Sequence, residues 1–518
     1  MAAASYTTDL TLIHATDAAS ASWTEPTGFI DGAITLPETD YFIQGTGCLS
    51  KTMGAGAAAV SGAIYNAGAG QTIPSGNALF IWLYFGAPNA LNTQAAGGLR
   101  VFVGSATSAF KQWYVKGANT YTYGGWFCVP VDPNTTQDAT TGTPTATLQF
   151  FGAAATLNAT SAVSKGNPFG IDVLRHGRGE MRINGGDLAN GYATFAGFAA
   201  QNDAQANRWG LFQTIDGGYL WQGLMVLGFT SAVDFRDSNV SVQIANTQKV
   251  VAAFNRIEVR QATSRVDWTG VSISALGTLS KGQFAMINNA TVNLTTCTFT
   301  DMDTFVFQSG ATVSGTTFRR CGQVTLGDAT MTGCRFENST AATSLLVGAA
   351  ISTVSNCTFV SDGSNHAIQI TATGNYTFNG LTFSGYAAAN GSTGNETVFV
   401  NVASGSVTIN TDSAISFRTA GATVTVIAGQ KTLTLTGIVA GSDVVILSAG
   451  TNTALADNDG ATNPVTTFAY SYTFAANTFV DIAVYKVGYV PFVIRNYQLA
   501  NANGSLPIAQ VADRNYTP

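Results

Sequence analysis

Cys297, Cys334 and Cys357 each stand two residues before a phenylalanine, in LTTCTF (294–299), MTGCRF (331–336) and VSNCTF (354–359). Thiols at a repeated spacing could bind a metal, form a disulfide or act as nucleophiles. Tetrahedral metal sites need closely spaced ligand pairs, and no C-x-x-C occurs. In VSGTTF (313–318) and FNGLTF (378–383) the same slot holds Thr316 and Leu381, so the position does not demand sulfur. Residues two apart on a strand share a face. With phenylalanine beside it, that face is an interior, where cysteine serves as a small buried hydrophobe. Adjacent strands would bring Cys334 and Cys357 within disulfide reach, although synthesis in a cytoplasm favours thiols.

The densest charge cluster is FGIDVLRHGRGEMRINGG (169–186), with Arg175, His176, Arg178, Glu180 and Arg182. Its guanidinium forks suit an anion or a sugar carboxylate. The competing reading is a solvated strand-turn or a seam of salt bridges between subunits. Trp113, Tyr114, Tyr121, Tyr123 and Trp126 could stack on sugar rings where exposed, and otherwise pack in a core. Trp113, Tyr114, Arg175, His176 and Arg178 are therefore the candidates for a glycan or anion contact. Asp301, Asp303, Glu337 and Asp362 are scattered acids, whereas glycoside hydrolysis needs two carboxylates at a defined separation. No Ser-His-Asp order or nucleophile elbow is visible. His14, His176 and His366 are the only histidines, a thin stock of general bases. DNDG (457–460) opens like a calcium loop but lacks the later ligands, and reads as a hairpin turn. No residue of the sequence is expected to be catalytic, and no cofactor or metal is expected.

Charged residues make up 10% of the chain, against roughly 25% in ordinary soluble domains. So few solvated faces imply that much of the surface meets other subunits. The net charge of -6 and the absence of a basic run exclude phosphate-driven nucleic-acid binding. The longest apolar run, from Ala78 to Ala87, is too short to span a membrane as a helix. MAAASYTTDLTLIHATD shows neither a basic nor an apolar signal region, so cytoplasmic synthesis is expected.

These residues must be positioned by strands, because 3.6-residue periodicity is missing over any useful length. ALFIWLYF (78–85), LRVFVG (99–104), KQWYVKG (111–117) and GGWFCVPV (124–131) read as strands of a sandwich over 1–215. The pattern looks like the jelly roll of concanavalin-like modules. ALFIWLYF is apolar on both faces, as a doubly covered central strand would be. The segment 216–414 repeats an apolar-x-x-φ-x-φ unit, φ being apolar, Cys or Thr, that closes at Ile273, Phe299, Phe318, Phe336, Phe359 and Phe383. A second strand precedes each: IEV (257–259), FAMI (284–287), FVF (305–307), VTL (324–326), LLV (345–347) and IQI (368–370). VFV (398–400) leading to VTI (407–409) makes a seventh two-strand unit. WQGLMV (221–226) fits the closing pattern as well. Two-strand units of this length, with like residues in phase, predict a right-handed parallel β-helix, in which equivalent residues stack at about 4.8 Å. From 415 to 518, ATVTVIAG, KTLTLTGI, SDVVILSA and their successors alternate with period two. They predict a compact antiparallel sandwich of immunoglobulin-like or transthyretin-like type.

FTDMDTFVFQSGATVSGTTFRRCGQVT, NCTFVSDGSNHAIQI and the closing FVDIAVYKVGYVPFVIRNYQL with DRNY resemble a family of tailed-bacteriophage virion proteins. The resemblance is best over 215–518. It implies a structural component of the particle, a tail fibre, spike or head decoration, and brings no active-site motif with it. The expectation is a non-enzymatic virion protein made in the host cytoplasm and assembled as a homotrimer. It would contact other virion proteins or a host surface glycan, with no nucleic-acid partner and no membrane insertion. A polysaccharide-cleaving tailspike and a cell-surface adhesin are the alternatives, and receptor binding and pure architecture both stay open.

Overall fold

The computed structural model describes residues 2–29, 33–53, 60–71, 73–120, 124–158, 169–245, 248–275, 281–348, 353–363, 365–386, 389–391, 394–451, 453–473, 478–500 and 502–514. Tyr121 and Tyr123 lie outside them. The chain is nearly all β and divides into two compact units, 1–329 and 330–518.

The first unit opens with two facing antiparallel sheets. One runs Gly125–Val131, Ala78–Phe85, Phe169–Gly177, Cys48–Lys51, Ile34–Glu38, with Thr11–His14 also paired to Phe169–Gly177. The other runs Ala139–Thr141, Ala109–Lys116, Leu99–Ala106, Leu148–Thr156, Val60–Gln71, Trp23–Thr24. Alternation along each strand selects the buried face. Leu79, Ile81, Leu83 and Phe85 meet Val101, Val103, Trp113 and Phe151 of the opposite sheet. Each such side chain contributes about 1.5–3 kcal/mol by leaving water.

ALFIWLYF is apolar on its other face because that face is covered too, over part of its length. Trp82 Nε1 donates to the Arg208 carbonyl at 2.8 Å. A Cβ on Gly210 would lie 2.3 Å from Cys128 Sγ and 3.4 Å from Trp82 Cε2, so that segment lies directly on the sheet. The segment follows a helix, Phe195–Asp203, for which the sequence shows no apolar stripe. Thr194 caps the helix by accepting from Gly197 N at 2.9 Å, and Asp237 Oδ2 accepts from Phe195 N at 2.8 Å. Phe195 packs against Phe212, Phe235 and Trp268, which fixes the helix by aromatic burial rather than by amphipathic pattern.

The rest of the first unit is parallel. Leu224–Leu227, Arg256–Val259, Gln283–Met286, Phe305–Val306 and Val324–Thr325 form one ladder, which Glu180–Asn184 precedes. Asp234–Ser238, Arg265–Thr269, Thr291–Thr295 and Ala311–Ser314 form a second. Gly218–Trp221, Ser241–Ile244, Ser272–Ser274, Thr298–Thr300 and Thr317–Arg319 form a third. Tyr219, Val242, Ile273, Phe299 and Phe318 are partners in register, so the closing column begins earlier than the sequence pattern showed.

Each repeat has three strands where two were expected. The closing motif straddles a corner: Leu294 lies in one strand, which ends at Thr295, Phe299 sits in the next, and Thr296 turns between them at φ 50°. Asn239 (φ 54°), Gly270 (φ 65°) and Gly315 (φ 58°) make the same turn in neighbouring repeats. WQGLMV straddles a different corner, since Val226 pairs with Glu258 and not with the closing column.

In the second unit Phe336, Phe359 and Phe383 pair in register, with the left-handed corners Gly333, Asn356 and Gly380 each three residues earlier. Thr343–Val347, His366–Ile370, Val398–Val400 and Phe417–Thr419 form a second parallel ladder. Gly374–Phe378, Ser406–Thr411 and Thr423–Ala428 form a third. VTI therefore belongs to a middle strand and not to the closing column. ATVTVIAG, read from its alternation as the first strand of the last sandwich, instead pairs in parallel with Ser406–Thr411. Period two marks one buried face and is blind to strand direction.

Two further facing sheets close the chain. One is Thr467–Thr473, Gln430–Thr436, Gly504–Pro507; the other is Ala454–Asn458, Asp443–Ser448, Phe479–Tyr485, Phe492–Gln498. Leu433, Leu435, Val444, Ile446, Val480, Ile482 and Val484 fill the space between them. One pairing, Gln430–Thr436 with Gly504–Pro507, is parallel, so the expected all-antiparallel pattern does not hold. DNDG links strands of the two different sheets and is not a hairpin turn. There Asp459 Oδ1 accepts from Ala461 N at 2.9 Å, an Asx turn.

Candidate functional site: the outer face of the N-terminal sheets

Of the residues proposed to contact a glycan or an anion, most are engaged inside the protein. Trp113 is fully buried between the sheets, which leaves its ring no face for a sugar. Tyr114 points the other way and is half-buried, with the Arg100 guanidinium 5.1 Å from its centroid. Arg175 is buried, and its two terminal nitrogens donate to the carbonyls of Arg208 at 2.9 Å and Asn207 at 2.6 Å. Burial pushes its pKa down to about 10, against the pull of Cys128 and Asp172. His176 is half-buried, and desolvation lowers its pKa against the opposing charge of Asp9. Arg178 donates to the carbonyls of Phe254 and Ala253, both at 3.1 Å. The cluster is spent on backbone carbonyls, which need donors as much as an anion would.

Several other charges pair with one another. Arg182 meets Glu180 at 2.7 Å, and Arg256 and Arg260 both reach Glu258, at 3.2 and 2.8 Å. Arg320 holds Asp301 bidentately, at 2.9 and 2.7 Å. Asp303 accepts from Gln283 at 2.8 Å, and Glu337 binds Arg335. Asp234 and Asp267 do approach each other, but Arg236 lies between them at 2.7 and 3.7 Å, and Arg265 also holds Asp267. The cysteines are thiols: burial pushes Cys297 up to about 11 and Cys128 and Cys321 up to about 12. A hydrogen bond from Cys334 instead lowers Cys357.

One feature of the outer face was missed. The segment around Arg208 and Gly210 covers Trp82 and Cys128, and cover ends two residue pairs further along, at Tyr84 and Trp126. There Tyr41, Tyr84 and Trp126, each half-buried, form a cluster with centroid separations of 4.9 Å (Tyr41–Tyr84), 5.4 Å (Tyr84–Trp126) and 6.2 Å (Tyr41–Trp126). Gly170 lies beneath them: a Cβ there would be 3.0 Å from Tyr84 Cβ, 3.1 Å from Trp126 Cη2 and 3.3 Å from Tyr41 Cε2. The sequence singled out Trp126 alone; the alternation of ALFIWLYF against GWFCVPV would have put Tyr84 beside it, while Tyr41 comes from a loop.

No protein-family model matches the chain, and no curated protein does. Among solved structures it is similar to the crystal structure of the catalytic unit of thermostable GH87 alpha-1,3-glucanase from Streptomyces thermodiastaticus strain HF3-3. The identity is 12%, over 79% of this chain and 95% of that chain, with a TM-score of 0.17. Agreement that loose carries no argument about fold or activity.

Proposed function

We propose that the chain is a non-enzymatic structural component of a tailed-phage virion, a fibre, spike or decoration protein working as a homotrimer. In this reading the parallel ladders of 216–414 are rungs of a right-handed β-helix. The facing sheets before and after them are a jelly-roll and an immunoglobulin-like sandwich. The observation that carries the proposal is the in-register column of closing residues, Ile273, Phe299 and Phe318 in one unit and Phe336, Phe359 and Phe383 in the other. Such stacking supplies stiffness through identical neighbours and needs no ligand. The consumption of Arg175, Arg178, Asp267 and Asp301 by internal partners favours architecture over catalysis. Neighbouring virion proteins and a host surface glycan are the partners this role requires.

Peptide mass spectrometry of gradient-purified particles from the encoding phage tests the assignment. Peptides from across the chain should co-purify with infectivity, and the isolated protein should sediment at about three times 53.7 kDa. A chain found only in the lysate supernatant would overturn the virion role.

A further inference from the structure

We propose that Tyr41, Tyr84 and Trp126, laid over Gly170, form a stacking platform for a neutral hexopyranosyl polysaccharide. The rings stand on the outer face of a sheet whose neighbouring residues, Trp82 and Cys128, are buried under another segment. Aromatic side chains left half-open where the rest of the face is covered offer a ligand a place to rest.

The geometry narrows what that ligand is. Rings whose centroids are 4.9–6.2 Å apart are already in contact with each other. The rings are tilted 37–51° to one another, so a ligand lies against one ring face at a time. Gly170 is what lets the rings sink onto the backbone, because even one Cβ there would press all three.

Electrostatics narrows it further. The charged group that bears on Tyr41 is Glu38, whose Oε1 accepts from Asp40 N at 3.0 Å, and Asp40 is exposed beside it. Two carboxylates at the rim repel phosphate and uronate, which argues against single-stranded nucleic acid and acidic capsule glycans. The same carboxylates accept hydrogen bonds from hydroxyl groups. A pyranose offers both requirements at once, an apolar C–H face for the rings and hydroxyls at its edge for Glu38 and Asp40.

Affinity electrophoresis in native gels containing dextran, yeast mannan or guar galactomannan tests the proposal with the full chain. At least one neutral polymer should retard the wild-type protein. Trp126→Ala and Tyr84→Ala should each weaken the retardation constant about tenfold, equivalent to about 1.4 kcal/mol. Tyr114→Ala, on the other sheet, should leave it unchanged. The unfolding midpoint of each variant separates loss of the platform from loss of the fold. Retardation by none of the three polymers would overturn the proposal. So would retardation that survives Trp126→Ala, or preferential binding of single-stranded DNA or polyuronate. A wild-type oligomer that dissociates in the Trp126→Ala variant would assign the patch to a subunit contact and overturn it too.

Discussion

Phe336 and Phe359 stack with ring centroids 4.7 Å apart and ring planes 4° from parallel. Their backbones are partners in register in adjacent parallel strands, so the ring separation repeats the strand spacing. Phe383 continues the column 5.5 Å from Phe359. Phe359 is thus the middle member, buried and in contact on both sides. Phe359→Ala should cost about 3–5 kcal/mol, the usual penalty for emptying a buried phenylalanine site. Denaturant unfolding of the variant checks this, and a loss below about 1 kcal/mol would show that the column is ornamental.

The corners make a second prediction, of opposite sign at two positions. Gly270 turns at φ 65°, and a Cβ there would lie 2.5 Å from Asn239 Oδ1. Gly270→Val meets both the steric clash and the left-handed backbone, and should destabilise by about 1–3 kcal/mol. Thr296 makes the equivalent turn at φ 50° with a β-branched side chain. Thr296→Gly should therefore be neutral or stabilising, unlike glycine substitution in a strand. Equal losses in both variants, measured by thermal unfolding, would contradict the assigned corner.

Asp172 gives a pH dependence. It is buried beneath the outer face and accepts from Ile43 N at 2.9 Å, Gln44 N at 3.0 Å and the Thr16 hydroxyl. Burial pushes its pKa up to about 6 against the downward pull of those donors. An unfolded aspartate titrates near 3.9. The folded protein therefore holds this proton more tightly than the unfolded chain. Its stabilising contribution is complete below the unfolded value and is lost as pH rises through about 6. Unfolding midpoints measured between about pH 4 and 7 should fall less steeply in Asp172→Asn than in the wild type. Parallel profiles would remove Asp172 from the account.

Phe492–Gln498 lies at the edge of the last four-stranded sheet, with Val493 exposed. Open edges invite pairing with other chains. Asn496 breaks this one by turning at φ 52°, and Asp481 holds the break by accepting from Asn496 N at 2.8 Å and from Arg495 at 3.2 Å. Asp481→Ala should straighten the edge and lower the temperature at which light scattering rises, with little change in the unfolding midpoint. Unchanged scattering would mean that the bulge protects nothing.

The closing column was legible because phenylalanine recurs in phase, and the pairing of Ile273 with Phe299 and of Phe359 with Phe383 follows that phase. The third strand of each repeat was hidden because the motif crosses a corner, and the β-branched Thr296 does not announce a left-handed turn as Gly270 does. The helix at Phe195–Asp203 was hidden because the apolar residues of FAGFAAQND run together at its start and form no stripe along one face. Trp113 and Tyr114 were legible as strand residues but not by face, since a one-residue shift exchanges core for surface. The aromatic cluster was hidden for a topological reason: strand pairing brings Tyr84, Trp126 and Gly170 together from three separate segments, and Tyr41 joins them from a loop.

Electron cryo-microscopy of purified particles from the encoding phage tests the central claim most directly. The account predicts density into which both units of this chain fit, at the head, neck or tail, in copy numbers divisible by three. Complete particles with no such density, while the protein accumulates in the lysate, would contradict it.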